Sequence, residues 1–201
     1  MPVAKGSTID PGRTRATILR NATQVLYERG LDGIGVAELC SRLGVSKETL
    51  YRHFGTKDGL VQAMLEARSD RVVRWLTDAV DAAGDDPAAQ LGALFEALQA
   101  WYDVPGFRGC AMLNAAAQHH TSTVRAITAR HLGRYRELLA AIADRAGVAD
   151  PQRLARQLLI LVEGATVVAD HHDRSGVGDD ARQAALTLLA AASGADRSTR
   201  G

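Results

Sequence analysis

Between Ser46 and Lys57 the chain sets out side chains suited to binding anions and base edges: Ser46, Lys47, Glu48, Thr49, Tyr51, Arg52, His53 and Lys57. Among them stand Leu50 and Phe54, one helical turn apart. At about 100° per residue, with those two turned inward, Glu48, Thr49 and Arg52 point away from a core and Tyr51 lies on the flank. An outer face that is polar, small or cationic suits a helix laid in a DNA major groove. Arg or Lys can pair with guanine, Glu can accept from a cytosine amino group, and Thr can meet a thymine methyl. Tyr51, His53 and Lys57 are typed for phosphate oxygens. Two ordinary short helices of a helical protein would carry the same spacing, so the pattern alone leaves both readings open.

Such a face needs a scaffold. Upstream, Val36, Leu39, Cys40 and Leu43 fall at helical spacing, and Gly44-Val45-Ser46 breaks the pattern before the next helix. Two short helices joined by a tight, Gly-containing turn make a helix-turn-helix. Gly44 can take the left-handed conformation that ends the first, and Ser46 is a strong N-cap for the second. A preceding helix is expected from about Arg13 to Arg29, with Ile18, Ala22, Val25 and Leu26 as its apolar stripe and Gly30 as its stop. Residues 1–12 read as a mobile arm in which Lys5, with Arg13 just after it, could touch phosphate, or as a plain disordered tail.

The composition, 46% hydrophobic but 4% aromatic, favours helices over sheets. The 201 residues allow one large domain, or a small and a medium one. Net charge is only +1, but residues 1–57 hold nine Lys/Arg against five Asp/Glu, a net of +4, which leaves −3 for the rest. A basic head on a mildly acidic body fits a DNA-binding module carried by a separate one. Cys40 and Cys110 form no paired motif, which points to a reducing cytoplasm rather than a disulfide framework. No signal-peptide core or membrane span is expected, so the predicted location is cytoplasmic.

The segment TRATILRNATQVLYERGLDGIGVAELCSRLGVSKETLYRHFGTKDGL, Thr14–Leu60, resembles the N-terminal domain of the TetR family of transcriptional repressors. GVSKETLYRHFGTKDGL is its most specific part. The resemblance implies an all-α protein of about nine helices, with a three-helix DNA-binding domain (1–56) and a helical ligand-binding and dimerisation domain (57–201). It also implies a homodimer whose repression is relieved by a small molecule. It places Lys47, Thr49, Tyr51 and His53 at DNA-contacting positions and Lys57 at a phosphate contact. Two positions depart from the pattern. Gly35 stands where members usually carry a capping Ser or Thr, leaving Glu38 as half of a capping box. Cys40 stands where Ala is common, and a small buried thiol fits there.

In the body, a long helix is expected from Lys57 to about Ala83, capped by Thr56, with Val61, Met64, Leu65, Val72, Trp75 and Leu76 on one face. A tilt at one end of it would be felt at the other. A fifth helix, Ala88 to about Tyr102, carries Leu91, Leu94, Phe95, Leu98 and Trp101. The stretch Phe107–His120 contains Cys110, either a packed thiol or a sensor. A seventh, Ser122 to about Ala146, has His131 and Tyr135 inside an apolar stripe with Val124, Ile127, Leu138 and Ile142. They form either a hydrogen-bonded core pair or polar anchors in a cavity. An eighth helix, about 151–172, is apolar on two sides: Leu154, Leu158, Leu161, Ala165 and Val168, then Leu159, Ile160 and Val167. With a last helix, about 180–192, it would form half of an intersubunit four-helix bundle. Glu163 is an interface carboxylate or a pocket acid. The tail from Gly194 is expected to fray. The candidate ligand pocket is Trp101, Phe107, Met112, His131, Tyr135 and Glu163. The adjacent pairs His119-His120 and His171-His172 diverge along a helix and chelate poorly, so no metal or other cofactor is expected.

The leading expectation is a repressor bound to a double-stranded, inverted-repeat operator and released by a small-molecule inducer. A dimeric DNA-binding protein without an inducer, or one switched through the Cys110 thiol, is the alternative. An all-helical enzyme is a third class, for which no nucleophile–base pair, phosphate loop or metal spacing speaks.

Overall fold

The computed structural model describes residues 11–31 and 33–199, with side chains within 14–194 except 32. Among the described residues there are nine α-helices and no strand. They are α1 (Pro11–Arg29), α2 (Val36–Leu43), α3 (Lys47–Phe54), α4 (Lys57–Ala82), α5 (Pro87–Tyr102), α6 (Ala111–Gln118), α7 (Ser122–Arg145), α8 (Pro151–His171) and α9 (Val177–Thr199). Residues 1–10 of the expected arm, with Lys5, and the side chain of Arg13 lie outside the described residues, whereas Pro11 and Gly12 already belong to α1.

The chain divides into two compact units between Arg68 and Ser69. The first is built from α1–α3 and the beginning of α4. Ile18, Ala22 and Leu26 of α1, Leu39, Cys40 and Leu43 of α2, and Leu50 of α3 are all buried there. So are Leu60, Val61, Met64 and Leu65 of α4. Compactness therefore carries the first unit past residue 56, where the expected domain boundary fell.

The second unit has one core, drawn from Leu76 and Val80 of α4, Leu91, Leu94, Phe95 and Leu98 of α5, Leu139 and Ile142 of α7, and α8 and α9. Asp86 caps α5 through Ala88 and Ala89 N–H, and Pro87 opens it; Asp150 and Pro151 repeat the device at α8. The inward face of α8 is Leu154, Ala155, Leu158, Val162, Ala165, Thr166 and Ala169. Val168, expected on one face with Leu154, Leu158 and Ala165, is instead 47% exposed, beside Ile160 at 71% and Val167 at 49%. Val162, Thr166 and Ala169 centre the buried stripe, so Val168 falls well off it along the helix. α9 begins earlier and ends later than its Leu-rich stretch implied. Gly176, at φ 74°, supplies the break before it, and Asp179 and Asp180 suit its first turn. No Pro or left-handed Gly interrupts it, and α9 runs past Gly194, the expected start of the tail, to Thr199. Among the described residues no helix is long and apolar enough to cross a membrane.

Candidate nucleic-acid interface and candidate ligand site

The turn before α3 is built by local rules. Gly44 sits at φ 65°, ψ 31°, and its N–H bonds back to the Cys40 and Ser41 carbonyls. A Cβ there would be strained by that left-handed backbone. Ser46 caps α3: its oxygen accepts from Thr49 N–H at 3.0 Å and its hydroxyl lies 3.0 Å from Thr49 Oγ1. Leu50 is fully buried and fixes which side of α3 faces out. Lys47, Glu48, Tyr51 and Arg52 are exposed; Thr49 and His53 are half-buried. Phe54 is only half-buried too, its outer side covered by the Arg15 guanidinium 5.0 Å from the ring centre.

The outer face therefore carries the expected residues, but two are engaged. Arg52 Nη2 meets Glu48 Oε1 at 2.6 Å across one helical turn, with both side chains mostly in water. Such a pair adds little stability, though it holds the guanidinium along the helix surface with donors to spare. Lys57 turns toward its own unit. Its ammonium donates to Leu31 O at 2.6 Å and Ile34 O at 2.8 Å, tying down the loop between α1 and α2. One N–H of the three remains for a phosphate. Nothing in the sequence around Lys57 signalled those loop carbonyls. Thr56 caps α4 by accepting from Gly59 N–H, and a Cβ at Gly59 would collide with the Phe54 carbonyl oxygen. Gly35 gives α2 no side-chain cap, and Glu38 pairs with Arg42 instead.

In the second unit the six candidate pocket residues fall into two groups. Trp101 packs edge-on against Phe107 at 4.8 Å, with Tyr102 within 5.8 Å of Trp101 and 5.3 Å of Phe107. Tyr102 was missed by sequence reasoning. Its hydroxyl meets Thr166 Oγ1 at 3.1 Å, a bond across 64 residues that no local pattern signals. Burial chiefly pushes its pKa up to about 12, partly offset by the Thr166 bond, with the nearby Glu163 charge adding to the rise. Glu163 is half-buried, but its Oε2 is covered and has no hydrogen-bond partner; burial pushes its carboxyl up to about 7.

The second group is His131 and Tyr135, rings 4.6 Å apart and both buried. His131 Nδ1 lies 2.9 Å from Ser69 Oγ of α4. Met112, also buried, offers its backbone oxygen to Thr128 of α7 at 3.1 Å. Cys110 and Cys40 are buried thiols. Among the described residues no three His, Cys, Asp or Glu side chains converge on a point that could hold a metal ion.

Residues 18–64 match the family model described as bacterial regulatory proteins of the tetR family. Over 107 residues the chain is 30% identical to the HTH-type transcriptional activator FasR of Mycolicibacterium smegmatis, covering 52% of this chain and 48% of that protein. Over 51 residues it is 43% identical to a class A tetracycline repressor protein of Escherichia coli, covering 25% and 24%. The chain thus spans about half, or less, of the length of these relatives. A TetR-family transcriptional regulator from Streptomyces coelicolor superposes with a TM-score of 0.79 at 27% identity, over 90% of this chain and 97% of that one. One from Cytophaga hutchinsonii gives 0.78 at 20% identity, over 96% and 98%, a likeness of fold alone.

Proposed function

Since this chain belongs to the TetR family of bacterial regulatory proteins, we propose that it is a DNA-binding transcriptional repressor, released from an inverted-repeat operator by a small molecule. The observation that carries the reading is α3: Leu50 is buried, while Lys47, Glu48, Tyr51 and Arg52 stand in solvent behind a Ser46-capped turn. Lys47, Thr49, Tyr51, Arg52 and His53 make the groove contacts, with Ser46 and the free donor of Lys57 on phosphate.

Two copies associate through α8 and α9. The exposed Ile160, Val167 and Val168 on α8 support this, because an apolar stripe on a helix otherwise packed on its own core calls for a cover. A twofold pair then reads half-sites about one DNA turn, roughly 34–36 Å, apart or a multiple of it. The inducer sits among Trp101, Phe107, Met112, His131, Tyr135 and Glu163: apolar walls with few polar groups, of which Glu163 Oε2 lacks a donor. A ligand that prefers a DNA-incompetent arrangement lowers DNA affinity, and DNA lowers ligand affinity by the same factor. The burial of Cys110 weighs against a thiol switch.

Selection of bound duplexes from a random pool tests the reading. Enrichment of an inverted repeat supports it; no enrichment above background overturns it. A reporter downstream of the selected site separates repression from the activation named for the Mycolicibacterium relative.

A further inference from the structure

α4 is one unbroken helix from Lys57 to Ala82, and the boundary between the two units falls within it, after Arg68. The first two residues of α4 in the second unit are the ones tied to α7. Ser69 Oγ lies 2.9 Å from His131 Nδ1, and Arg134 Nη1 reaches Ser69 Oγ at 3.3 Å and Asp70 Oδ1 at 2.7 Å. Ser69 and His131 are buried, and His131 and Arg134 are neighbours one turn apart on α7. With Arg134 donating to Ser69 Oγ, the hydroxyl proton is free to point at Nδ1, so the bonds run Arg134 to Ser69 to His131.

We propose that Ser69, Asp70, His131 and Arg134 form a clamp that fixes the rotational and axial register of α4 against α7 at the turn where the helix leaves the second unit. Apolar packing tolerates sliding; directional bonds between buried groups do not. Moving α4 by one residue shifts it about 1.5 Å and turns it about 100°, which takes Ser69 off His131 and breaks the bond between them. The same face of α7 carries Thr128, one turn before His131, whose hydroxyl lies 3.1 Å from Met112 O of α6. One string of α7 side chains thus touches α6 and α4. His131 and Arg134 are positioning residues: they act on DNA through α4. That consequence rests on the function proposed above, whereas the clamp itself does not.

The test is a distance between spin labels placed at Asp78→Cys on α4 and Glu137→Cys on α7, both exposed and both in the second unit, in full-length protein with Cys40→Ala and Cys110→Ser. Labelled chain is diluted in unlabelled chain so that only distances within one chain are read. His131→Leu and Ser69→Ala are expected to broaden or shift the distribution. His131→Asn, which keeps a polar atom near Nδ1, is expected to restore it. Arg134→Gln, at a half-exposed site that tolerates substitution, gives a smaller broadening should the buried variants fail to fold. Distributions unchanged in every variant, with only the melting temperature lowered, overturn the clamp. So does failure of His131→Asn to restore, since imidazole packing rather than the bond would then be at work. A changed distribution in a protein that selects no DNA leaves the clamp standing and removes the repressor reading.

Discussion

In α3 and in the second unit, polar side chains are handled in opposite ways. On α3 they point into solvent and pair, if at all, with a neighbour one turn away, as Arg52 does with Glu48. In the second unit they point inward and find partners across the fold: Tyr102 with Thr166, His131 with Ser69, Thr128 with Met112 O. The first arrangement leaves donors free for an outside partner and costs little in stability. The second makes each bond a constraint on how two helices meet, because an unpaired buried polar group is expensive. A recognition surface must be uncommitted, and an inner framework must not be. Glu163 breaks the rule of its own region, being inward yet with one oxygen lacking a donor.

The strongest test of the contrast removes what holds the outer face outward. Leu50→Ala is expected to cost about 2–5 kcal/mol, as for a fully buried leucine, and to unfold the first unit before the second. Two separated calorimetric transitions would show it; a single transition at the wild-type temperature would contradict the two-unit core. Next, Glu163→Gln separates inward from outward acids. Its folded pKa of about 7 stands above the 4.5 of the unfolded chain, so its contribution to stability is greatest below about pH 4.5 and falls as pH rises toward 7. The variant should lose that slope and gain on the order of 2 kcal/mol above pH 7, allowing for partial exposure. Urea unfolding at several pH values reads this directly.

Arg52→Ala and Tyr51→Ala should leave stability and oligomeric state within experimental error while weakening binding to the selected site, by about 1–3 kcal/mol for the arginine. A changed oligomeric state in either variant would mean that head and body are not separate. The smallest effect is expected at Gly35, in the extended region at φ −74° and with nothing within 4 Å of an added Cβ. Gly35→Ser should supply the missing α2 cap and stabilise the first unit by a few tenths of a kcal/mol. A destabilised variant would show that Glu38 and Arg42 cannot accommodate it.

The N-terminal third was readable because its signals are local. Gly44, Ser46, Leu50 and Thr56 each act within about one helical turn, so type and spacing sufficed. The starts of α5 and α8 were also readable, since Asp86-Pro87 and Asp150-Pro151 mark helix starts by backbone chemistry alone. Side-chain partners were not. Lys57 has the right type for phosphate, yet two of its donors go to carbonyls more than twenty positions upstream. Nothing near Lys57 in the sequence marks Leu31 and Ile34.

By itself, then, the sequence determined the helices, the capped turn and which side of α3 faces outward, because these follow from backbone preference and a period of 3.6 residues. The tertiary structure alone decided that Ser69 meets His131, that Tyr102 meets Thr166, that Val168 stands in solvent, and that one Glu163 oxygen is sealed without a donor. Those outcomes depend on how distant helices dock, and docking is settled by the sum of all their contacts rather than by any residue's neighbours along the chain.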